Sequence, residues 1–234
     1  TNKVPTALSI STSAISEAAE NLVVGTVTTT DSDQPGGAAF VYSIAQVSGT
    51  DYSKFTINSS TGVLSLTEQP DYETKASYSV VVKSVDAGGK AISKTFTVTV
   101  TDVNEAPTLA NAIADQTIAE DSALSFQFNS NVFADVDVGD SFTYTATLSD
   151  GSALPSWLTF TAATRTFSGT PLNANVGVLA VKVTATDGSG AIGYDTFNIS
   201  ITNTADAPTG ISFSSNSVAE NSMGAVVGNI IVED

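Results

Sequence analysis

The side chains able to do chemistry in this chain are carboxylates. The stretch Asp102-Val103-Asn104-Glu105-Ala106-Pro107 sets three oxygen-bearing side chains close together. Its Pro closes the strand before it, because Pro cannot donate to a ladder. Such oxygens suit a hard cation, above all calcium, which takes about six to eight of them at about 2.3–2.6 Å. The stretch alone falls short of that shell and needs partners from elsewhere in the chain. No Cys and no His occur, which removes thiol nucleophiles, imidazole bases, disulfides and the usual zinc ligands together. A pair of carboxylates is the main catalytic route left. The acidic pairs fall in turns between strands, and no Gly-x-Ser-x-Gly motif is present. An enzyme is not expected.

Composition narrows the setting of these carboxylates. The chain has 234 residues, room for one to two domains. Eight Lys and Arg face 24 Asp and Glu, a formal charge of −16, which repels nucleic acid and suits a soluble or cation-binding protein. No apolar run approaches the roughly 18 residues of a spanning helix, so no membrane insertion is expected of this segment. No charged-then-apolar leader opens the chain. It reads as an internal piece of a longer secreted or cell-surface protein, and the lack of Cys points to a bacterial source.

The elements that must position the carboxylates repeat. Tyr78 to Pro107 lies on Leu179 to Pro208 without a gap, so that Asp86 falls on Asp187 and Phe96 on Phe197. Ala19-Glu20-Asn21 recurs as Ala119-Glu120-Asp121 and as Ala219-Glu220-Asn221. A period of about 100 residues is the size of a sandwich domain, not of a solenoid unit. Strands are signalled throughout. Phe96, Val98 and Val100 alternate with Thr95, Thr97 and Thr99, and Tyr78, Val80 and Val82 alternate likewise, the period of a half-buried strand. Turn pairs such as Gly36-Gly37, Thr61-Gly62, Gly88-Gly89 and Asp150-Gly151 punctuate them. The expected fold is all-β: tandem Greek-key β-sandwiches in an extended array, with repeats at 1–105 and 106–206 and the start of a third at 207–234.

At this point the first repeat resembles a bacterial cadherin repeat. Glu20-Asn21, Asp31-Ser32-Asp33, Pro70-Asp71-Tyr72-Glu73, Asp86-Ala87-Gly88 and Asp102 to Pro107 stand in the family's order. Repeat two is similar to the dystroglycan-type cadherin-like variety, on Asp150-Gly151, Leu154 to Leu158 and Phe167 to Pro171. The resemblance implies cadherin/immunoglobulin-like sandwiches with calcium between consecutive domains. It therefore implies a first calcium hinge from Glu20, Asp71, Glu73, Asp102, Asn104, Glu105, Asp135, Asp137 and Asp187, with Asp140 near enough in sequence to add an oxygen. It implies an N-terminal half-site of Asn2, Asp31, Asp33 and Asp86. It also implies a weaker second hinge of Glu120, Asn203, Asp206 and Asp234. Asp86, Asp150 and Asp187 stand next to or near Gly and are equally turn formers.

The implied function is calcium-dependent rigidification of an extracellular adhesion or extender module. The expected partners are calcium, neighbouring repeats of the same chain, and another cell surface or a polysaccharide. The rival reading is a carbohydrate-binding module of a polysaccharide-degrading system. Against it, Trp157, the single Trp, continues into Leu158 and Phe160 and reads as core. Tyr52, Tyr72 and Tyr194 are too scattered to form a platform.

Overall fold

The computed structural model describes residues 2–33, 39–205, 207–208, 210–215, 217, 220, 223–224 and 228–233. Strands account for nearly all of its regular structure, and the helical segments described are three single turns of 3-10 helix. No helix among the described residues is long and apolar enough to cross a membrane. Two compact units emerge. One is Thr1–Ala106 with Asp135–Asp140, and the other is Pro107–Ala134 with Ser141–Asp234.

The first unit contains β1 (Ala7–Ile10), β2 (Ala14–Ser16), β3 (Val23–Thr30), β4 (Val41–Ala45), β5 (Phe55–Ile57), β6 (Val63–Leu66), β7 (Ser77–Val85) and β8 (Ala91–Thr101). They form two sheets, ordered β1-β3-β6-β5 and β2-β8-β7-β4. All pairs are antiparallel except β2 on β8, which is parallel and sets Ile15 beside Val100. The alternation read from sequence is the alternation that packs. Phe96, Val98 and Val100 turn inward with Tyr78, Val80 and Val82, and they meet Leu8, Val27 and Leu64 of the facing sheet. Thr95, Thr97 and Thr99 face out. Fully burying a side chain of this kind is worth about 1.5–3 kcal/mol, and that drives the two sheets together.

The second unit repeats the plan with β9 (Thr108–Leu109), β10 (Gln116–Ala119), β11 (Leu124–Gln127), β12 (Phe133–Ala134), β13 (Thr143–Leu148), β14 (Leu158–Thr161), β15 (Thr166–Gly169), β16 (Gly177–Thr186) and β17 (Ile192–Thr202). One sheet runs β10-β17-β16-β13, and β11-β15-β14 forms the other, with β9 and β12 as a separate pair. The core is aromatic. Phe167 is wholly buried, with Phe160 at 4.6 Å and Phe197 at 5.5 Å between ring centroids. Trp157 is half-buried against this cluster. Later in the chain, β18 (Gly210–Phe213) and β19 (Ile230–Glu233) pair antiparallel, Gly210 opposite Glu233. That is the register in which β1 meets β3, Ala7 opposite Thr30.

The Asp-x-Gly turns have a local cause. Asp86 Oδ1 accepts the Lys90 N–H at 2.8 Å, and Asp187 Oδ1 accepts the Ser189 and Ala191 N–H groups at 2.9 and 2.8 Å. Gly89 and Gly190 take the left-handed conformation, at φ 83° and 95°, which a side chain would strain. Both aspartates thus cap the turn between the last two strands of their units.

Candidate metal centre

Glu17 lies one residue past β2, at the end of the parallel pairing with β8. Its side chain is 8 % exposed. Oε2 accepts the Tyr72 N–H at 2.7 Å and Oε1 accepts the Val103 N–H at 2.6 Å. One carboxylate therefore ties the Asp71-Tyr72-Glu73 loop to the segment that leaves β8. The Gln69 side-chain amide, bonded to the Glu17 carbonyl oxygen, braces the same corner.

Around this tie the first unit collects further carboxylates. Glu17, Glu73 and Asp102 offer oxygens within 4.8 Å of one another, as do Glu73, Glu105 and Asp137, and as do Asp135, Asp137 and Asp140. Shared Glu73 and shared Asp137 link the three groups into a chain. Hydrogen bonds fix its far end. The Glu105 N–H donates to Asp137 Oδ2 at 3.0 Å, and the Asp137 N–H donates to Asp135 Oδ1 at 3.2 Å. A cleft of about 450 Å³ opens among Glu17, Asp71, Glu73, Glu105 and Val136.

Electrostatics sets these carboxylates apart from ordinary surface acids. Neither ion pair among the described residues involves them: Lys54 pairs with Glu68 and Lys75 with Asp51. Loss of solvent first, and repulsion from the neighbouring carboxylates next, raise Asp102 and Glu105 from their ordinary values. Glu73 is raised mainly by loss of solvent, with Glu17, Asp102 and Asp137 adding to it. Glu105 Oε2 and Asp135 Oδ2 are buried with no hydrogen-bond partner. Such groups are rare in a folded protein and call for a missing partner. A hard cation with oxygen ligands meets both the excess charge and the unpaired oxygens, so these residues fit calcium.

The raised values carry a pH signature. A carboxyl raised on folding binds its proton more tightly in the folded chain. Its contribution is fully present below the unfolded value and is lost as pH rises through the folded value. Without metal, Asp102, Glu73 and Glu105 therefore weigh against the fold at neutral pH. We expect Asp102→Asn to raise the melting temperature of the metal-free protein at pH 7 and to leave it unchanged at pH 3. Calorimetry in chelator checks this, and a lower melting temperature at pH 7 would contradict it.

The structure gathers Glu73, Asp102, Glu105, Asp135 and Asp137 from the expected first set, and Asp140 with them. Asp71 lines the same cleft, but its oxygens accept the Thr74 N–H at 2.8 Å and the Thr74 hydroxyl at 2.9 Å, which hold its carboxyl below the usual range. The Asn104 amide turns to the Glu105 carbonyl oxygen at 2.7 Å. Asp187 belongs to the second unit and caps its turn. Glu20 is exposed and stands outside all three groups, with Glu17 in the place assigned to it. The strand register gives the reason. Ile15 pairs with Val100 and Ile118 with Ile201, so Glu17 and Glu120 are equivalent, and each donates its N–H to the Thr that ends the partner strand, Thr101 or Thr202. The recurring signal was Ile-x-Glu, at Ile15-Ser16-Glu17 and Ile118-Ala119-Glu120, rather than Ala-Glu-Asn.

The N-terminal set also meets. Asn2 Nδ2 donates to both oxygens of Asp86 at 3.2 and 3.1 Å, the Lys3 N–H to Asp33 Oδ2 at 2.7 Å, and the Asp33 N–H to Asp31 Oδ1 at 3.4 Å. Asp31 Oδ2 is left buried and unpaired, and loss of solvent is the first cause raising its carboxyl. In the second unit Glu120 is 1 % exposed; Oε1 accepts the Thr204 N–H at 2.7 Å while Oε2 has no partner. Asn203 bonds the Thr204 carbonyl oxygen at 2.8 Å. Asp206 and Asp234 lie outside the described residues.

Comparison with known proteins bears on the fold of the two repeats. Residues 11–101 match the family described as "Cadherin domain", and residues 106–202 the family described as "Putative Ig domain". Protocadherin gamma-A10 of Pan troglodytes is 34% identical over 110 residues, which cover 45% of this chain and 12% of that protein. The chain thus spans a small part of such relatives. Among solved structures, extracellular cadherin domains 3–6 of protocadherin gamma B2 align with a TM-score of 0.60 at 18% identity, covering 97% of this chain and 55% of that one. Domains 1–4 of Drosophila N-cadherin align with a TM-score of 0.58 at 19% identity, covering 85% and 50%. At these identities the structural likeness establishes the fold, a tandem cadherin-like β-sandwich.

Proposed function

We propose that this chain, whose residues 11–101 match the cadherin domain family, is a calcium-binding, calcium-rigidified extracellular module of a surface protein, serving adhesion or extending a distal binding domain. Cadherin domains are non-enzymatic adhesion modules and bind calcium as a family. The observation that carries the reading for this chain is the linked set Glu17, Glu73, Asp102, Glu105, Asp135, Asp137 and Asp140. Two of its buried oxygens are unpaired, and among the described residues no cationic side chain forms an ion pair with any member. Glu17, Glu73 and Asp102 would hold one ion. Glu105 and Asp137 would bridge to a second, shared with Asp135 and Asp140. Bound calcium supplies the positive charge that allows these carboxylates to stay ionised together. Asp135–Asp140 follows the first repeat in sequence yet belongs to the first compact unit, so the ions would fasten it there. The repeats at 1–105 and 106–206 and the start of a third at 207–234 would be the successive modules of such a protein.

Two finer assignments belong to the same proposal. The lack of any Cys supports a bacterial surface adhesin as the source. The Leu154-Pro155-Ser156-Trp157-Leu158 and Phe167-Ser168-Gly169-Thr170-Pro171 stretches support a dystroglycan-type second repeat. The set Asn2, Asp31, Asp33 and Asp86 would form half of an equivalent site. The set around Glu120 and Asn203 would form a poorer one.

Calcium titration by calorimetry tests the reading. The expected result is saturable binding of more than one ion, abolished by a combined Asp102→Ala and Glu105→Ala change that leaves both sandwiches folded by circular dichroism. Undiminished binding by the double variant would move the ions elsewhere.

A further inference from the structure

Arg165 is the single arginine of a chain with charge −16. It is also one of two described non-glycine residues in the left-handed region, at φ 55°. That conformation is strained for a residue with a side chain. The first unit shows what the position ordinarily takes. Phe55-to-Leu66 and Leu158-to-Gly169 are matching hairpins, with Ile57 opposite Leu64 and Phe160 opposite Phe167. The Gly62 carbonyl oxygen accepts the Val27 N–H at 2.8 Å, and the Arg165 carbonyl oxygen accepts the Phe128 N–H at 3.2 Å. Gly62 and Arg165 are therefore equivalent, and Gly62 is left-handed too, at φ 71°. The second unit holds an arginine where the backbone favours glycine.

The surroundings differ in the same sense. A Cβ on Gly62 would lie 2.3 Å from the Val27 carbonyl oxygen and 3.2 Å from the Tyr42 ring. Tyr144 matches Tyr42, since Tyr42 stands opposite Ser84 and Tyr144 opposite Ala185, each two residues before the turn aspartate. Tyr42 is buried, and its hydroxyl accepts from Thr29. Tyr144 instead lines a groove of about 260 Å³ with Phe142, Thr143, Ala162, Ala163 and Arg165. The continuous β3 of the first unit is divided here into β11 and β12. The Phe142 and Tyr144 rings stand 6.3 Å apart at 67°. Arg165 Nε reaches the Phe128 carbonyl oxygen at 3.4 Å, and no ion pair with a carboxylate is formed by Arg165 among the described residues. Its charge is felt at the Tyr144 hydroxyl, whose ionisation burial opposes more strongly.

We propose that this groove binds a glycan end that carries one carboxylate, with the Arg165 guanidinium pairing the carboxylate and the Phe142 and Tyr144 rings taking the apolar face of the sugar. A guanidinium is the side chain that grips a carboxylate bidentately. The volume, just under the roughly 300–1,000 Å³ of drug-sized pockets, suits a single sugar ring. The net charge of the chain selects against polyanions and for one acidic sugar on an otherwise neutral glycan. Binding at this groove needs no calcium.

Ligand-observed NMR with sialyllactose and lactose on the whole chain tests it, in calcium and in chelator alike. Sialyllactose is expected to bind at least about ten-fold more tightly than lactose. Arg165→Gly is expected to abolish that preference without lowering the melting temperature, because glycine is at ease in this backbone conformation. Arg165→Lys keeps the charge but loses the fork, and should fall between the two. The site is overturned if wild type does not prefer sialyllactose or if Arg165→Gly binds it undiminished. An unstructured acidic peptide that competes equally well would overturn the sugar assignment.

Discussion

Chelating calcium should lower the melting temperature of the first unit by about 10–20 °C for each ion removed. A ligand at about 100 times its dissociation constant stabilises by about 2.7 kcal/mol per site. In a domain of this size about 1 kcal/mol moves the midpoint by about 4–8 °C. The effect has two parts that salt can separate. Repulsion among Glu73, Asp102, Glu105 and Asp137, whose oxygens crowd within 4.8 Å in overlapping groups, is partly screened at 1 M salt, where the Debye length is about 3 Å. Replacement of the unpaired Glu105 Oε2 and Asp135 Oδ2 contacts needs a coordinating ion. Sodium chloride at 1 M should therefore recover part of the loss and calcium all of it. Magnesium should do less, since it demands a tight octahedral shell and gives up water reluctantly. Scanning calorimetry measures this directly, and an unchanged first transition in chelator would sink the calcium mechanism.

Glu17→Ala and Glu20→Ala should differ sharply although the residues are three apart. Glu17 accepts two backbone N–H groups, from Tyr72 and Val103, while 8 % exposed. Hydrogen bonds to a charged group are worth about 1.5–3 kcal/mol each. Alanine would also leave both donors unpaired. We expect a loss of about 3 kcal/mol or more, with calcium binding at the first group abolished. Glu20 is exposed and outside the groups, so its removal should stay within about 0.5 kcal/mol and leave the calcium isotherm unchanged. If Glu17→Ala fails to fold, Glu17→Gln keeps the shape and one acceptor while removing the charge. Calcium binding that survives Glu17→Gln but not Glu20→Ala would overturn the strand register on which the site is built.

The β-sandwich repeats were legible because their cause is local and periodic. An alternating strand buries every second residue, so Phe96, Val98 and Val100 could be placed inward from sequence alone, and they are. The Asp86 and Asp187 turns were legible for a similar reason, since an aspartate before glycine caps its own backbone within four residues. The carboxylate set was legible in kind but not in membership. Glu17 and Glu20 both lie past the end of β2, where alternation no longer says which side chain points where. Asp71 has the composition of a ligand, but its oxygens are taken by Thr74 three residues on.

The stretch from Asp102 to Pro107 marks that division. Sequence by itself determined that it ends a strand, that it offers oxygens, and that its oxygens are too few for a calcium shell. Tertiary structure decided which others join them, because the parallel pairing of β2 with β8 brings Glu17 to Val103 across 86 positions, and the Glu105 N–H captures Asp137 across 32. It also decided that an arginine ordinary in sequence stands at a glycine's place beside two half-buried rings. Short-range rules act through backbone geometry and can be read one residue at a time. The ligand set depends on long-range register, and that exists only once both sheets have closed on their core.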